Sequence, residues 1–212
     1  NLWNPMAKFH QWTMPDKGVI HKRVWTSKSY KVQEPLLGSS FTFVTNVNEG
    51  AEKGVSLAAD VTHSIDAYVV REIQRRCNFD RVKLQEVLSL ILALRNPVIT
   101  DRTNVISLVE IENINLDTIE KYSDNELGQL VEIIKQCLNY GSFEVVTIHD
   151  EFKCHPNHVN KMRKHYNQIL FELYHSNLMS QIVKEISGKD VYLLPPNPDV
   201  ALQILEGNYG IN

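Results

Sequence analysis

Apolar residues recur with helical spacing in several stretches, which predicts a predominantly helical chain. The longest stretch, about residues 51–77, predicts a long and partly buried helix. A second helix is predicted over Lys83–Leu94 and ends before Pro97, because the residue preceding a proline is disfavoured in the α conformation. A third begins at Ser123, since Glu126 three positions later completes a capping-box pattern.

The carboxyl-terminal third predicts three more helices. Pro156 suits the first turn of a helix whose apolar stripe continues to Leu173. Another helix is predicted over Leu178–Ile186 and stops at the Ser-Gly pair that follows. A short last helix, Asp199–Leu205, comes after the rigid proline-rich connector at 195–198.

Short β-prone stretches occupy the first fifty residues. Residues 8–14 and 19–25 flank the turn formers Pro, Asp and Gly of residues 15–18, which predicts a hairpin. Further strands are predicted at Tyr30–Val32 and Phe41–Val47. Residues 98–122 are ambiguous, with a possible strand over 104–111.

A further β-prone run, residues 143–148, ends in the sequence His149-Asp150-Glu151-Phe152. A carboxylate at the end of a strand is fixed by the sheet and exposed beyond its edge. This placement suits a divalent-metal ligand for phosphoryl transfer, so Asp150 is a candidate ligand. The residues alone leave open that it only hydrogen-bonds a loop.

The long predicted helix carries a polar patch, residues 62–67, within an otherwise apolar pattern. Burying a polar group without a partner costs about 1–3 kcal/mol, so His63, Ser64 and Asp66 require partners. Either the patch is a satisfied network between helices, or it faces a groove. His63 and Asp66 are three positions apart and therefore lie on one face of the helix.

Two other groups of side chains are weaker candidates. Soft nitrogen and sulfur ligands come close together in the sequence at Cys154, His155, His158 and His165. Their spacing is not that of a zinc finger or ribbon. Aromatic residues interleaved with Lys and Arg occur at Trp12, Trp25 and Tyr30. They can stack on bases or pack in a hairpin core.

Composition and charge exclude several classes of protein. The chain of 212 residues is 43% hydrophobic and 22% charged, as in a soluble globular protein, and its longest apolar run is far shorter than the ~20 residues that cross a bilayer. Its net charge of −3 argues against a surface built throughout to coat nucleic acid. Residues 1–35 nevertheless carry six basic against two acidic residues, and residues 80–140 carry ten acidic against six basic. Three widely spaced cysteines indicate a reducing compartment.

Taken in order, four motifs resemble the C-terminal part of the single-subunit DNA-directed RNA polymerases of bacteriophage and mitochondrial type. Residues 12–18 look like that family's W-x-x-P-D-G turn, with Lys17 inserted. Residues 62–67 are similar to its H-S-x-D-[AG] helix signature. Residues 149–152 look like its H-D-S-F catalytic motif, with glutamate where serine is usual, and residues 202–212 resemble its hydrophobic tail.

The resemblance implies an α+β, predominantly helical fold of right-hand palm and fingers type, in which a short β-hairpin carries the catalytic aspartate. Asp150 and His149 would be catalytic, with Asp150 one of two aspartates that hold two Mg²⁺ ions during nucleotidyl transfer. His63, Ser64 and Asp66 would bind nucleic acid, with His63 at the minor groove of the growing RNA–DNA hybrid. The implied partners are a DNA template, an RNA transcript and ribonucleoside triphosphates.

The family's other catalytic aspartate, and its lysine and tyrosine that handle the nucleotide, would lie upstream of this chain. We therefore expect the chain to be part of a longer polypeptide or one subunit of a split enzyme, with the second metal ligand supplied from outside. A first residue of Asn1 rather than Met points the same way. The expected compartment is the cytoplasm, that of a host cell if the gene belongs to a phage.

The predicted organisation has four parts. Asp66 and Asp150 are 84 positions apart, more than in the compact link of familiar members, so the acidic residues 80–141 are interpreted as an inserted helical subdomain. Residues 1–50 form a β-rich basic segment, residues 51–79 the polar-patch helix, and residues 142–212 the palm hairpin with the last helices.

Two alternatives remain open. Glu151 moves the motif toward the H-D-E of the DNA polymerase I family, so a palm fragment of that family is the first. The second is a non-catalytic nucleic-acid-binding partner, in which Asp150 and His63 have only structural roles.

Overall fold

Small antiparallel hairpins and α-helices make up the fold, seen in a computed structural model that describes residues 4–33, 36, 38–148, 151–191 and 195–207. About 51% of the described residues are helical, which confirms the predicted α+β, mostly helical class. Helices α1 to α6 span Val55–Cys77, Arg81–Leu94, Asp124–Tyr140, Val159–His175, Leu178–Ser187 and Pro198–Glu206. Strands β1 to β6 span Phe9–Thr13, Val19–Arg23, Thr26–Gln33, Ser40–Val47, Val145–Ile148 and Glu151–Cys154.

The helices lie where the apolar spacing predicts them, with ends that differ by a few residues. The predicted capping box at the start of α3 is present, because the Ser123 hydroxyl accepts from the Glu126 amide and the Glu126 carboxylate accepts from the Ser123 amide. Asp80 caps α2 by accepting from two backbone amides of its first turn. Within the described part of the chain, no helix is long and apolar enough to cross a membrane.

The strands pair in sequence order, β1 with β2, β3 with β4 and β5 with β6. The first hairpin was expected from the turn formers, and its turn is closed by bonds from Met14 N to Gly18 O (2.9 Å) and from Lys17 N to Met14 O (2.8 Å). The second hairpin is longer than the two short predicted strands, since all eight residues of β3 pair with β4.

The possible strand at residues 104–111 is absent, and this prediction is wrong. The chain is extended there and then forms a 3₁₀ helix, Leu108–Glu112. The carboxylate of Glu72 in α1 accepts bonds from the Ser107 hydroxyl (2.6 Å) and the Leu108 amide (2.9 Å). These bonds hold the segment against a helix rather than in a β-ladder.

Two apolar clusters form the core. The first gathers the buried faces of β1, α1, β6, α4 and α5 around residues such as Trp12, Ile73 and Ile169. The second is built from residues between Leu84 and Cys137, so the segment interpreted as an inserted subdomain has a cluster of its own.

Buried ion pairs connect these clusters. The Arg76 guanidinium bonds the Glu72 carboxylate (3.0 Å) on its own helix and both carboxylate oxygens of Glu172 in α4 (3.0 and 2.6 Å). Arg76 is fully buried, and burial acts to lower its pKa, but the two carboxylates outweigh this and hold the pKa well above its usual value. Because Glu72 also binds Ser107 and Leu108, this network joins α1 to α4 and to the second cluster.

We predict that Glu172→Gln destabilises the protein by about 3 kcal/mol, because it leaves the buried Arg76 charge with one carboxylate instead of two. Urea unfolding measures the change in the free energy of unfolding. Glu132→Gln is the matched control, since Glu132 pairs with Arg102 at the surface and its loss costs less than about 1 kcal/mol. Equal losses for the two variants would contradict the importance of the buried network.

Candidate active site and nucleic-acid interface

The β5–β6 hairpin carries the motif that the sequence marks as catalytic. His149 and Asp150 themselves lie outside the described residues, as does the end of the predicted tail at 208–212. The strands on either side are described, and Ile148 pairs with Glu151 in the antiparallel register. The position of the hairpin can therefore be read from its strands.

One face of this hairpin is fixed to the helices. Thr147 and Phe152 are opposite each other in the register. The Gln74 side chain in α1 donates to the Thr147 hydroxyl (3.1 Å), and the buried Phe152 ring lies 6.0 Å from the Tyr166 ring in α4. Glu151 is exposed on the other face. Contacts to two helices thus hold the strands that flank Asp150.

The polar patch lies on α1, the helix that bonds the hairpin through Gln74. His63 and Asp66 are both exposed, which is the arrangement of a patch that faces a groove or solvent. Burial, and then the negative charge of Asp66, raise the pKa of Tyr166. Tyr166 also contacts the Phe152 ring of the hairpin.

Ser64 belongs to a different face of α1 from its two predicted partners. Its side chain is buried, and its hydroxyl accepts from the Trp12 indole N–H (2.9 Å) and donates to the Val61 carbonyl (2.7 Å). One residue along a helix is a rotation of about 100°, which carries Ser64 into the core while His63 stays outside. A direct contact with nucleic acid is therefore not expected for Ser64.

Asp16 in the β1–β2 turn is an anchor that the sequence analysis did not identify. Its carboxylate accepts two bonds from Arg71 (2.6 and 3.0 Å) and one from Arg75 (3.1 Å), both in α1. Burial acts to raise the pKa of Asp16, but the two guanidiniums outweigh it and the pKa is lower than usual. The available signal was two arginines four positions apart on a predicted helix, which lie on one face.

The β3–β4 ribbon presents an aromatic face to solvent. The register places Tyr30 opposite Phe43 and Val32 opposite Phe41, and these four side chains are between 41% and 62% exposed. The Tyr30 and Phe43 rings stack with centroids 5.4 Å apart. Such a face combines area for stacking with the neighbouring lysines of the basic segment.

The three aromatic candidates from the sequence therefore separate into two groups. Trp12 is fully buried and belongs to the first apolar cluster, as expected of a hairpin core residue. Trp25, next to the start of β3, is 55% exposed, and Tyr30 lies on the open ribbon face. Trp25 and Tyr30 are thus available to a planar ligand.

Three of the four soft-ligand candidates, Cys154, His155 and His158, line one surface pocket, with the two imidazole rings 6.1 Å apart, but His165 is not among its lining residues. His158 stacks on the Phe143 ring at 4.6 Å, and the His155 ring accepts a bond from the Asn157 amide. His165 is buried in α4, where desolvation lowers its pKa to about 3. Within the described ranges, no three His, Cys, Asp or Glu side chains are grouped so that they could hold a metal ion.

Neither a scan against protein-family models nor a search of curated proteins finds a match for this chain.

We predict that Ser64→Ala destabilises the protein by about 1–3 kcal/mol, because it leaves the buried Trp12 N–H without an acceptor. Thermal unfolding gives the measurement. Thr62→Ala is the control, since Thr62 also bonds a carbonyl of the preceding turn but is exposed. Indistinguishable stabilities for these two variants would show that the Trp12–Ser64 bond contributes little.

Proposed function

We propose that this chain is the C-terminal palm and fingers portion, or a subunit, of a single-subunit-type DNA-directed RNA polymerase. It acts in transcription by two-metal nucleotidyl transfer in the cytoplasm, and it is incomplete without motifs from an upstream segment or a second polypeptide. One observation carries the proposal. The helix that carries the exposed His63 and Asp66 is hydrogen-bonded, through Gln74 and Thr147 (3.1 Å), to the hairpin whose sequence contains Asp150.

Asp150 is the residue of this chain that would hold Mg²⁺, with His149 beside it. Mg²⁺ prefers oxygen ligands and keeps several waters, so one carboxylate here, one from outside and the substrate phosphates make an adequate set. When bound, the ions stabilise negative charge on the attacking and leaving oxygens. Glu151 is bound to Lys153 at 3.1 Å on the same strand, which leaves Asp150 as the better candidate.

His63 and Asp66 would contact the growing end of the RNA–DNA hybrid. Both are polar and exposed on a rigid helix, and hydrogen bonds to sugars and groove edges position a nucleic acid without selecting its sequence. Ser64 supports them from behind through its bond to Trp12, which fixes α1 against β1.

The β3–β4 ribbon would provide a second contact with nucleic acid. A two-stranded ribbon fits the major groove of DNA, and exposed aromatic rings can stack on unpaired bases. Lys28 lies on the face of Tyr30, where it pairs with Glu49, and Lys31 is exposed on the opposite face.

We predict that Asp150→Asn, in the enzyme assembled with the polypeptide that supplies the second aspartate, lowers nucleotide addition by about a thousandfold or more. The reason is the loss of a charged metal ligand in the transition state. Extension of a primer on a DNA template measures the rate, with ribonucleotides and deoxyribonucleotides offered separately. Incorporation of ribonucleotides favours the RNA enzyme, and preference for deoxyribonucleotides favours the DNA polymerase I alternative.

The matched control is Glu144→Gln, which neutralises another exposed carboxylate just before β5. We expect near-normal extension for this variant, and near-normal folding and template binding for both. Near-normal extension by Asp150→Asn would refute the catalytic assignment.

The second candidate function is a non-catalytic nucleic-acid-binding module, and the exposed aromatic ribbon favours it. The ribbon's contacts need neither metal nor a second chain, so binding can be tested with this chain alone.

We predict that replacing both Tyr30 and Phe43 by serine weakens binding of a single-stranded oligonucleotide by about tenfold or more, since one stacked base contributes about 1–3 kcal/mol. Fluorescence anisotropy of a labelled oligonucleotide measures the affinity. Leu92→Ser is the control, because Leu92 is a similarly exposed apolar residue on α2. Unchanged affinity in the double variant would exclude the ribbon as a binding surface. Two results together would favour the non-catalytic module. The chain would bind the oligonucleotide strongly through the ribbon, and the assembled Asp150→Asn enzyme would still extend the primer.

A further inference from the structure

Lys17 adopts a backbone conformation that its side chain does not favour. Its φ is +62°, in the left-handed region, at the turn position before Gly18. Hairpin turns normally place Gly or Asn at such a position, because other residues bring Cβ too close to the backbone. Lysine is unfavourable in this conformation, which points to a role for its side chain.

The Lys17 side chain reaches across to the segment that follows α2. Its ammonium lies 2.7 and 2.8 Å from the two carboxylate oxygens of Glu110. Glu110 also accepts from the Tyr122 hydroxyl (2.6 Å), and the ammonium lies 6.0 Å from the centre of the Tyr122 ring. Burial acts to raise the pKa of Glu110, but Lys17 and Tyr122 lower it below its usual value.

Two cavities adjoin the Lys17–Glu110 ion pair. A cavity of about 590 Å³ is bounded by Thr13, Leu178 and Lys184, and a second cavity of about 540 Å³ is bounded by Asn113 and Thr118. Both cavities are lined by Lys17, Tyr122 and Glu126. Lys17 thus forms part of the wall that both cavities share, between the turn and the second apolar cluster.

The two ends of the bridge differ in how firmly they are held. On the turn, the neighbouring Asp16 is fixed to α1 by Arg71 and Arg75. The Glu110 side chain is 5% exposed, whereas that of Lys17 is 63% exposed and open to salt. The weak element is therefore the lysine contact. The part free to separate is residues 109–122, because Glu72 holds Ser107 and Leu108 to α1.

We propose that Lys17 is a latch that holds residues 109–122 against the β1–β2 turn, and that its release joins the two flanking cavities into one cleft. The inference does not rest on the proposed catalytic function.

Three substitutions of Lys17 distinguish the effect of its ion pair from the effect of its backbone conformation in the turn. Lys17→Asn suits the left-handed backbone but removes the cation, Lys17→Met keeps the length of the side chain without its charge, and Lys17→Arg keeps the charge. Hydrogen exchange of the whole chain reports on residues 109–122, where the amides of Asn113 and Ile114 bond the Glu110 carbonyl. Lys31→Asn, on the exposed ribbon, is the control.

We expect Lys17→Asn and Lys17→Met to speed exchange in residues 109–122 by about threefold to tenfold, as for the loss of one ion pair to a buried carboxylate. Exchange in α1 stays unchanged, and Lys17→Arg and Lys31→Asn behave as the original chain. High salt speeds exchange in the original chain but not in Lys17→Asn. Unchanged exchange in Lys17→Asn, or an equal increase throughout the chain, would overturn the latch.

A double-mutant cycle gives a second, independent measurement. Once Glu110→Gln has removed the partner, Lys17→Met has no further effect on exchange in residues 109–122 if the latch exists. Additive effects of the two substitutions would overturn it.

Discussion

The rest of the structure depends on a buried charge, that of Arg76 at the end of α1. A fully buried guanidinium is strongly unfavourable unless its donors are matched by carboxylates, and Glu72 and Glu172 provide them. This requirement fixes α4 against α1, and Glu72 extends it to Ser107 and Leu108. The relative positions of the two apolar clusters therefore follow from a polar constraint as much as from apolar packing.

Local elements were predictable from the sequence because their causes are local. The capping box at Ser123, the turn formers around Asp16 and the apolar stripe of α4 each act within a few residues. Only one of the two partners of Arg76 could be predicted from the sequence. Glu72 is four residues away on the same helix face, whereas Glu172 is 96 residues away, and no short-range pattern relates such a pair. The absent strand at 104–111 has the same origin, since a distant carboxylate captures Ser107 and Leu108.

In the candidate site, too, local features could be predicted from the sequence and long-range contacts could not. Helical spacing predicted that His63 and Asp66 share one face, and both are exposed. The sequence motif grouped Ser64 with them, but helix geometry turns Ser64 toward Trp12. The bond between α1 and the hairpin joins Gln74 to Thr147, which are 73 residues apart, and no short-range pattern relates such a pair. The exposed aromatic face of the ribbon also depends on pairing, because only the register brings Tyr30 beside Phe43.

Arg75 connects the ion pairs that hold the β1–β2 turn to the buried ion pairs around Arg76. Its guanidinium bonds Asp16 at 3.1 Å and Glu72 at 3.4 Å, so the β1–β2 turn and the Arg76 network share one helix turn. A displacement of the turn would disturb the buried charges, which is costly, whereas separation of Glu110 from Lys17 leaves those charges paired. Motion is therefore easiest at the Lys17 contact, where residues 109–122 can move while Ser107 and Leu108 stay bound to Glu72 of α1.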